Sequence, residues 1–145
     1  MNEAETIHPT RRDPWLMAGG LLAIVFGLVT IRAGGRVLLG NPAALAEAGH
    51  YVPFVLWFNF IAGFGYVLAG IGLWLRRRWA VMLAMVIAAA TVVVFAAFGL
   101  HVALGGAWES RTMAAMPVRS VVWIALAWLA ARRIPRATEG VADRV

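Results

Sequence analysis

Apolar residues fall in four long runs, at residues 15–31, 53–75, 79–104 and 113–131, each bounded by arginine, tryptophan, glycine or proline. Runs of about 17–25 apolar residues are long enough to cross a bilayer as helices. A helix also satisfies its own backbone hydrogen bonds, which lipid requires. The first run is the shortest and extends to Val37 if Arg32 and Arg36 are helical. Pro117 falls in or near the first turn of the fourth run, where a missing N–H costs little. The pattern therefore predicts an all-α integral membrane protein, a four-helix antiparallel bundle. Residues 1–14 and 132–145 form short tails around a transmembrane domain at 15–131.

The longest link, roughly residues 33–52, carries a helix signal of its own. Asn41-Pro42 reads as an N-cap followed by a first helical position. A short helix over residues 43–48, ended by Gly49, follows from it. Such a helix serves as a cap on one face of the bundle or as a lid over a site.

Composition sharpens this picture. Hydrophobic residues make up 62% of the chain, against about 45–50% in soluble domains. A chain of 145 residues is too small to hide that excess in a core, so lipid must cover it. The formal net charge is +6 and all 13 basic side chains are arginine. The arginines cluster at the ends of the apolar runs, which points to topology and lipid head groups rather than nucleic acid. Without lysine there is no Schiff-base chemistry. Without cysteine there is no disulfide, Cys-ligated zinc, iron–sulfur cluster or thiol catalysis.

Arginine distribution sets the expected orientation. Arg11, Arg12, Arg76, Arg77, Arg78, Arg132, Arg133 and Arg136 fall on one side of a four-span chain. Arg32, Arg36, Arg111 and Arg119 fall on the other, offset by Glu47 and Glu109. The positive-inside rule makes the first side cytoplasmic, with both termini inside an inner, plasma membrane. Trp15, Trp74, Trp79 and Trp128 then mark the inner interface, and Trp57 and Trp108 the outer one. Arg11-Arg12 resembles a twin-arginine export signal, but Thr30-Ile31-Arg32-Ala33 is a poor cleavage site. The first run is accordingly expected to stay as a helix.

Small residues recur at heptad-like spacing, at Gly20, Ala23, Gly27 and Thr30, at Ala62, Gly65, Ala69 and Gly72, and at Ala80, Ala84, Ala88 and Thr91. Small side chains let membrane helices approach closely. Polar residues inside the spans are expensive there and are candidates for function. Asn59, Tyr66, His101, Glu109, Arg111 and Arg119 gather toward the outer half of the bundle, where Arg32, Arg36, His50 and Tyr51 approach. Two readings stand side by side. In one, Arg119 snorkels to head groups or pairs with Glu109, and Asn59 bonds a neighbouring helix. In the other, these residues line an outward-facing ligand pocket.

Three ligand chemistries fit such a pocket unequally. His101, Met113 and Met116 offer imidazole and two thioethers, a donor set suited to Cu(I). Haem lacks a second histidine at membrane depth, since His8 and His50 lie outside the spans. A quinone or lipid-like head group would meet arginine charge and the donors of Asn59, Tyr66 and His101. No nucleophile–base–orienter set, G-x-S-x-G or phosphate loop is present.

The apolar, glycine-containing stretch at 20–35 and the segment AGFGYVLAGIGLWLRRRW at 62–79 resemble DoxX-like membrane proteins over about the first two-thirds of the chain. Members of that family often carry a lysine near the end of the first helix, where this chain has Arg32 or Arg36. The resemblance implies an inner-membrane accessory or redox-linked protein, and it names no cofactor. The leading expectation is a non-enzymatic accessory protein or subunit, homo-oligomeric or in a larger membrane complex, with the bilayer and not nucleic acid as its partner. The alternative is an outer-face binding or transfer protein for copper or a quinone- or lipid-like molecule.

Overall fold

A computed structural model describes residues 13–134. The structure comprises α1 (Pro14–Leu38), α2 (Pro42–Ala48), α3 (Pro53–Trp74), α4 (Arg78–Ala103) and α5 (Ser110–Arg133). All but α2 are long and apolar enough to cross a membrane. The protein is a multi-pass membrane protein whose four long helices alternate in direction. The start of α1 and the end of α5 share one end of the bundle, and α2 lies at the other. Arg11, Arg12 and Arg136 lie outside the described residues.

Local signals explain the helix ends. The Asp13 carboxylate accepts from the Trp15 N–H at 3.0 Å, and Pro14 opens α1. Asn41 caps α2 by accepting from the Ala44 N–H at 3.0 Å, with Pro42 at its start and Gly49 just past its end, as expected. At the far end of α3, Arg76 N–H donates to the Leu73 carbonyl and Arg77 N–H to that of Gly72. This is a Schellman closure, and it holds Arg76 at φ 52°.

The first span takes the longer of its two expected extents and continues to Leu38, with Gly34 and Gly35 packed on Phe60 of α3. The start of the fourth span differs from the expectation. The fourth begins at Ser110, so Pro117 lies about two turns inside α5 rather than in its first turn. There it withholds the N–H that the Met113 carbonyl would otherwise accept.

Glycines set the closest helix approach. A Cβ on Gly20 would lie 2.7 Å from the Gly70 carbonyl oxygen, and one on Gly27 2.7 Å from that of Gly63. Backbone therefore touches backbone along α1 and α3, as small residues permit in lipid. The two glycines of the expected stripe at Ala62, Gly65, Ala69 and Gly72 meet a different neighbour. Gly65 faces Ile87 and Gly72 faces Ala80, both on α4. The α1-facing glycines of α3 are Gly63 and Gly70, one residue out of step with that stripe.

The core is layered between these contacts. Ala23, Tyr66, Ala69, Ala84, Ala88 and Trp123 form its central cluster. Leu16, Leu73, Ala80, Ala130 and Ile134 close the end where α1 starts and α5 finishes. There α1 also meets α5: Arg133 pairs with Asp13 at 2.8 Å, and Gly19 faces Leu126 and Leu129. Large apolar side chains such as Leu22, Val29, Val86 and Val93 stay exposed on the outside, as lipid-facing residues do. Trp15, Trp74, Trp79 and Trp128 are exposed toward one end and Trp57 and Trp108 toward the other, whereas Trp123 is buried in the core.

Candidate functional site: a cleft between α1, α3 and α5

Toward α2, the α1 and α5 helices part. The space between them, backed by α3 and walled by α2, is a cleft of about 330 Å³. Val29 and Ala33 of α1 and Ala115 of α5 line it and are exposed, so it opens sideways between those helices. Its volume is at the lower end of the usual range for small-molecule sites, about 300–1,000 Å³.

The floor is built by Phe26, Asn59 and Arg119. Asn59 lies six residues after Pro53 and Arg119 nine after Ser110, which places them about 9–14 Å inside the bundle from the α2 end. Arg119 is 91% buried. Its guanidinium donates to the Asn59 side-chain oxygen and lies over the Phe26 ring, 5.4 Å from the centroid. Its Nε has no hydrogen-bond partner. Among the described residues no carboxylate lies within ion-pair distance of it. Arg119 therefore neither snorkels to the surface nor pairs with Glu109. It is turned inward because Met116, Arg119, Ser120 and Trp123 share the buried face of α5.

Glu109 acts elsewhere. Its carboxylate accepts from the His50 N–H at 3.4 Å, and a Cβ on Gly49 would lie 2.6 Å from it. It thus ties the segment after α2 to the start of α5. Glu109, Arg111, Arg36 and Glu47 form the charged mouth of the cleft. Arg36 also reaches the Asn41 side-chain oxygen, at 3.5 Å.

Tyr66 lies beyond the floor. It stacks on Phe26 with centroids 5.7 Å apart and tilts against Trp123 at 4.6 Å. The Tyr66 hydroxyl and the Trp123 indole N–H are buried without hydrogen-bond partners. His101 stands apart from the cleft. Its Nε2 is 3.2 Å from the Ala107 carbonyl oxygen and its ring meets Phe54 edge-on, 6.2 Å between centroids. A Cβ on Gly106 would collide with the His101 ring, so the histidine fills the turn after α4.

Met116 is fully buried with Val52, Val55 and Phe98, and Met113 packs against the same cluster. Met116 reaches the cleft wall, whereas His101 and Met113 do not. Among the described residues no group of three or more His, Asp or Glu side chains gathers as a metal-binding set.

Of the residues expected to form a site, the structure brings Asn59, Glu109, Arg111 and Arg119 to one cleft. Phe26, Thr30, Ala44 and Ala115 were not foreseen in it. No protein-family model matches the chain, and no curated protein or solved structure is significantly similar to it.

Proposed function

We propose that this protein binds a small lipid- or quinone-like molecule in the cleft between α1, α3 and α5. The carrying observation is Arg119, a buried guanidinium with a neutral side chain as its partner, at the floor of an apolar cleft that opens sideways. Intramembrane arginine is costly and marks sites where polar groups are handled. A sideways opening suits a molecule that arrives through lipid. Non-enzymatic service in a larger membrane complex is compatible with this reading, as is the accessory role implied by the resemblance to DoxX-like proteins.

Copper has less support. The His101 imidazole is occupied with its own turn, and the two thioethers pack in an apolar cluster. The arginine distribution favours both termini in the cytoplasm and the α2 end, with the cleft mouth, on the outer face of an inner membrane. A reporter fused after Val145 is expected to read as cytoplasmic, and an external signal would overturn that orientation.

Native mass spectrometry of the full chain released from mild detergent tests the binding reading. The expected result is a mass excess matching an amphiphile, lost in Ala115→Trp, which fills the exposed flank of the cleft. A chain that carries nothing, or an excess unchanged in A115W, would overturn it. An excess matching copper would favour the metal reading instead.

A further inference from the structure

We infer that the cleft selects amphiphiles with an anionic head group, a carboxylate or phosphate monoester, whose charge is neutralised by Arg119. The inference rests on the cleft being a ligand site and names the chemistry that the site prefers. Three observations on different residues lead to it.

The first is the state of Arg119 itself. It is 91% buried, its Nε lacks a partner, and Asn59 offers it a dipole but no charge. A neutral acceptor leaves a buried cation uncompensated, and a carboxylate or phosphate oxygen compensates it. A quinone carbonyl would add only another dipole.

The second is the charge inventory of the cleft. Arg36, Arg111 and Arg119 face Glu47 and Glu109, so one positive charge is unmatched. That excess favours an anionic head group over a neutral one.

The third is shape and polarity. Phe26 and Met116 flank the polar floor, and Val29, Ala33 and Ala115 line the open side. An apolar chain lying between α1 and α5 would continue into the surrounding lipid while its head sits at Arg119. With Asn59 Oδ1 accepting from Arg119, its amide nitrogen is free to donate to a second head-group oxygen.

The experiment uses the full chain in phosphatidylcholine nanodiscs, titrated with palmitate, hexadecyl phosphate and methyl palmitate and read by native mass spectrometry. A charge-assisted hydrogen bond is worth about 1.5–3 kcal/mol, so at least one anionic probe is expected to bind roughly ten- to a hundredfold tighter than the ester. Which anion leads distinguishes a carboxylate ligand from a phosphate one. R119Q is expected to erase the preference and R119K to retain most of it. A115W, which leaves Arg119 in place, is expected to block all three probes.

An ester that binds as tightly as both anions, with all three blocked by A115W, overturns the anion preference while the cleft remains a ligand site. An anion preference that survives R119Q or A115W places the head group elsewhere and overturns the assignment to Arg119. Binding of none of the probes overturns the inference and the reading beneath it together.

Discussion

Arg119 on α5 and Asn59 on α3 are hydrogen-bonded across the floor of the cleft, although 60 residues separate them in sequence. Neither helix approaches the other through a glycine stripe. This bond is the polar link between the two walls at the depth where α1 and α5 have parted. It holds a charged side chain in a fixed place inside an apolar bundle and presents it to the cleft.

The bond should therefore matter to stability as well as to binding. Asn59→Leu keeps the branched outline of the side chain and removes the acceptor, leaving the guanidinium with only the Phe26 ring. The expected loss is about 2–3 kcal/mol, since the bond is to a charged group. Steric-trapping or denaturant unfolding in mild detergent measures it. An unchanged midpoint would mean that water, and not Asn59, solvates Arg119.

Tyr66 makes the opposite case two turns further along α3. Its ring packs between Phe26 and Trp123, while its hydroxyl is buried without a partner. Tyr66→Phe keeps the packing and removes the unpaired group, so the variant should equal the wild type or gain up to about 1 kcal/mol. A loss of that size in the same unfolding assay would reveal a hydrogen bond to the hydroxyl, through Thr91, Trp123 or a bound water.

The α1–α3 seam gives a test with its own control. A Cβ on Gly27 would meet the Gly63 carbonyl oxygen at 2.7 Å, Val67 at 2.8 Å and Tyr66 at 3.0 Å. Gly27→Leu must separate the two helices, and overpacking of this kind costs about 1–3 kcal/mol or more. On α4, a Cβ added to Gly99 would have nothing within 4 Å. Gly99→Ala should instead be neutral or stabilise by about 0.5–1 kcal/mol, through reduced backbone freedom. Thermal midpoints of the two variants in one detergent decide it: equal shifts would contradict backbone contact at Gly27.

The spans, the α2 cap at Asn41-Pro42 and the cluster of polar residues toward α2 were legible because each is a local pattern. Length and hydropathy identify a span whatever it packs against. Which side of a helix meets which neighbour is a relation between distant residues. Of the small-residue stripe at Ala62, Gly65, Ala69 and Gly72, the two glycines meet α4, while Gly63 and Gly70 meet α1. Both sets have suitable spacing, and α3 packs on two sides. Arg119 was ambiguous for a similar reason. The signal that settles it was present, since Met116, Ser120 and Trp123 repeat around it at helical spacing, the period of a buried face. The early start of α5 at Ser110 was hidden by Arg111 and Thr112, which lower hydropathy without ending a helix.

The Asp13–Arg133 pair offers a prediction about pH. It joins the first residue before α1 to the last turn of α5, with nitrogen and oxygen 2.8 Å apart. Partial desolvation pushes the Asp13 carboxyl upward. That effect is outweighed by hydrogen bonds from Arg133 and the Trp15 N–H and by the charge of Arg133, which hold the carboxyl below its ordinary value. A carboxyl depressed in the folded state contributes stability above its unfolded pKa, about 3.9. That contribution is lost as pH falls below that value and through the folded pKa. Asp13→Asn retains an oxygen to cap α1 but has no charge to titrate. Wild type should therefore exceed D13N in unfolding midpoint at pH 7, and the gap should narrow as pH drops below about 4. The gap should also shrink in high salt, because Arg133 is 44% exposed and screening reaches the pair. A gap that stays constant from pH 7 to pH 3 would assign the effect of D13N to the cap and not to the ion pair.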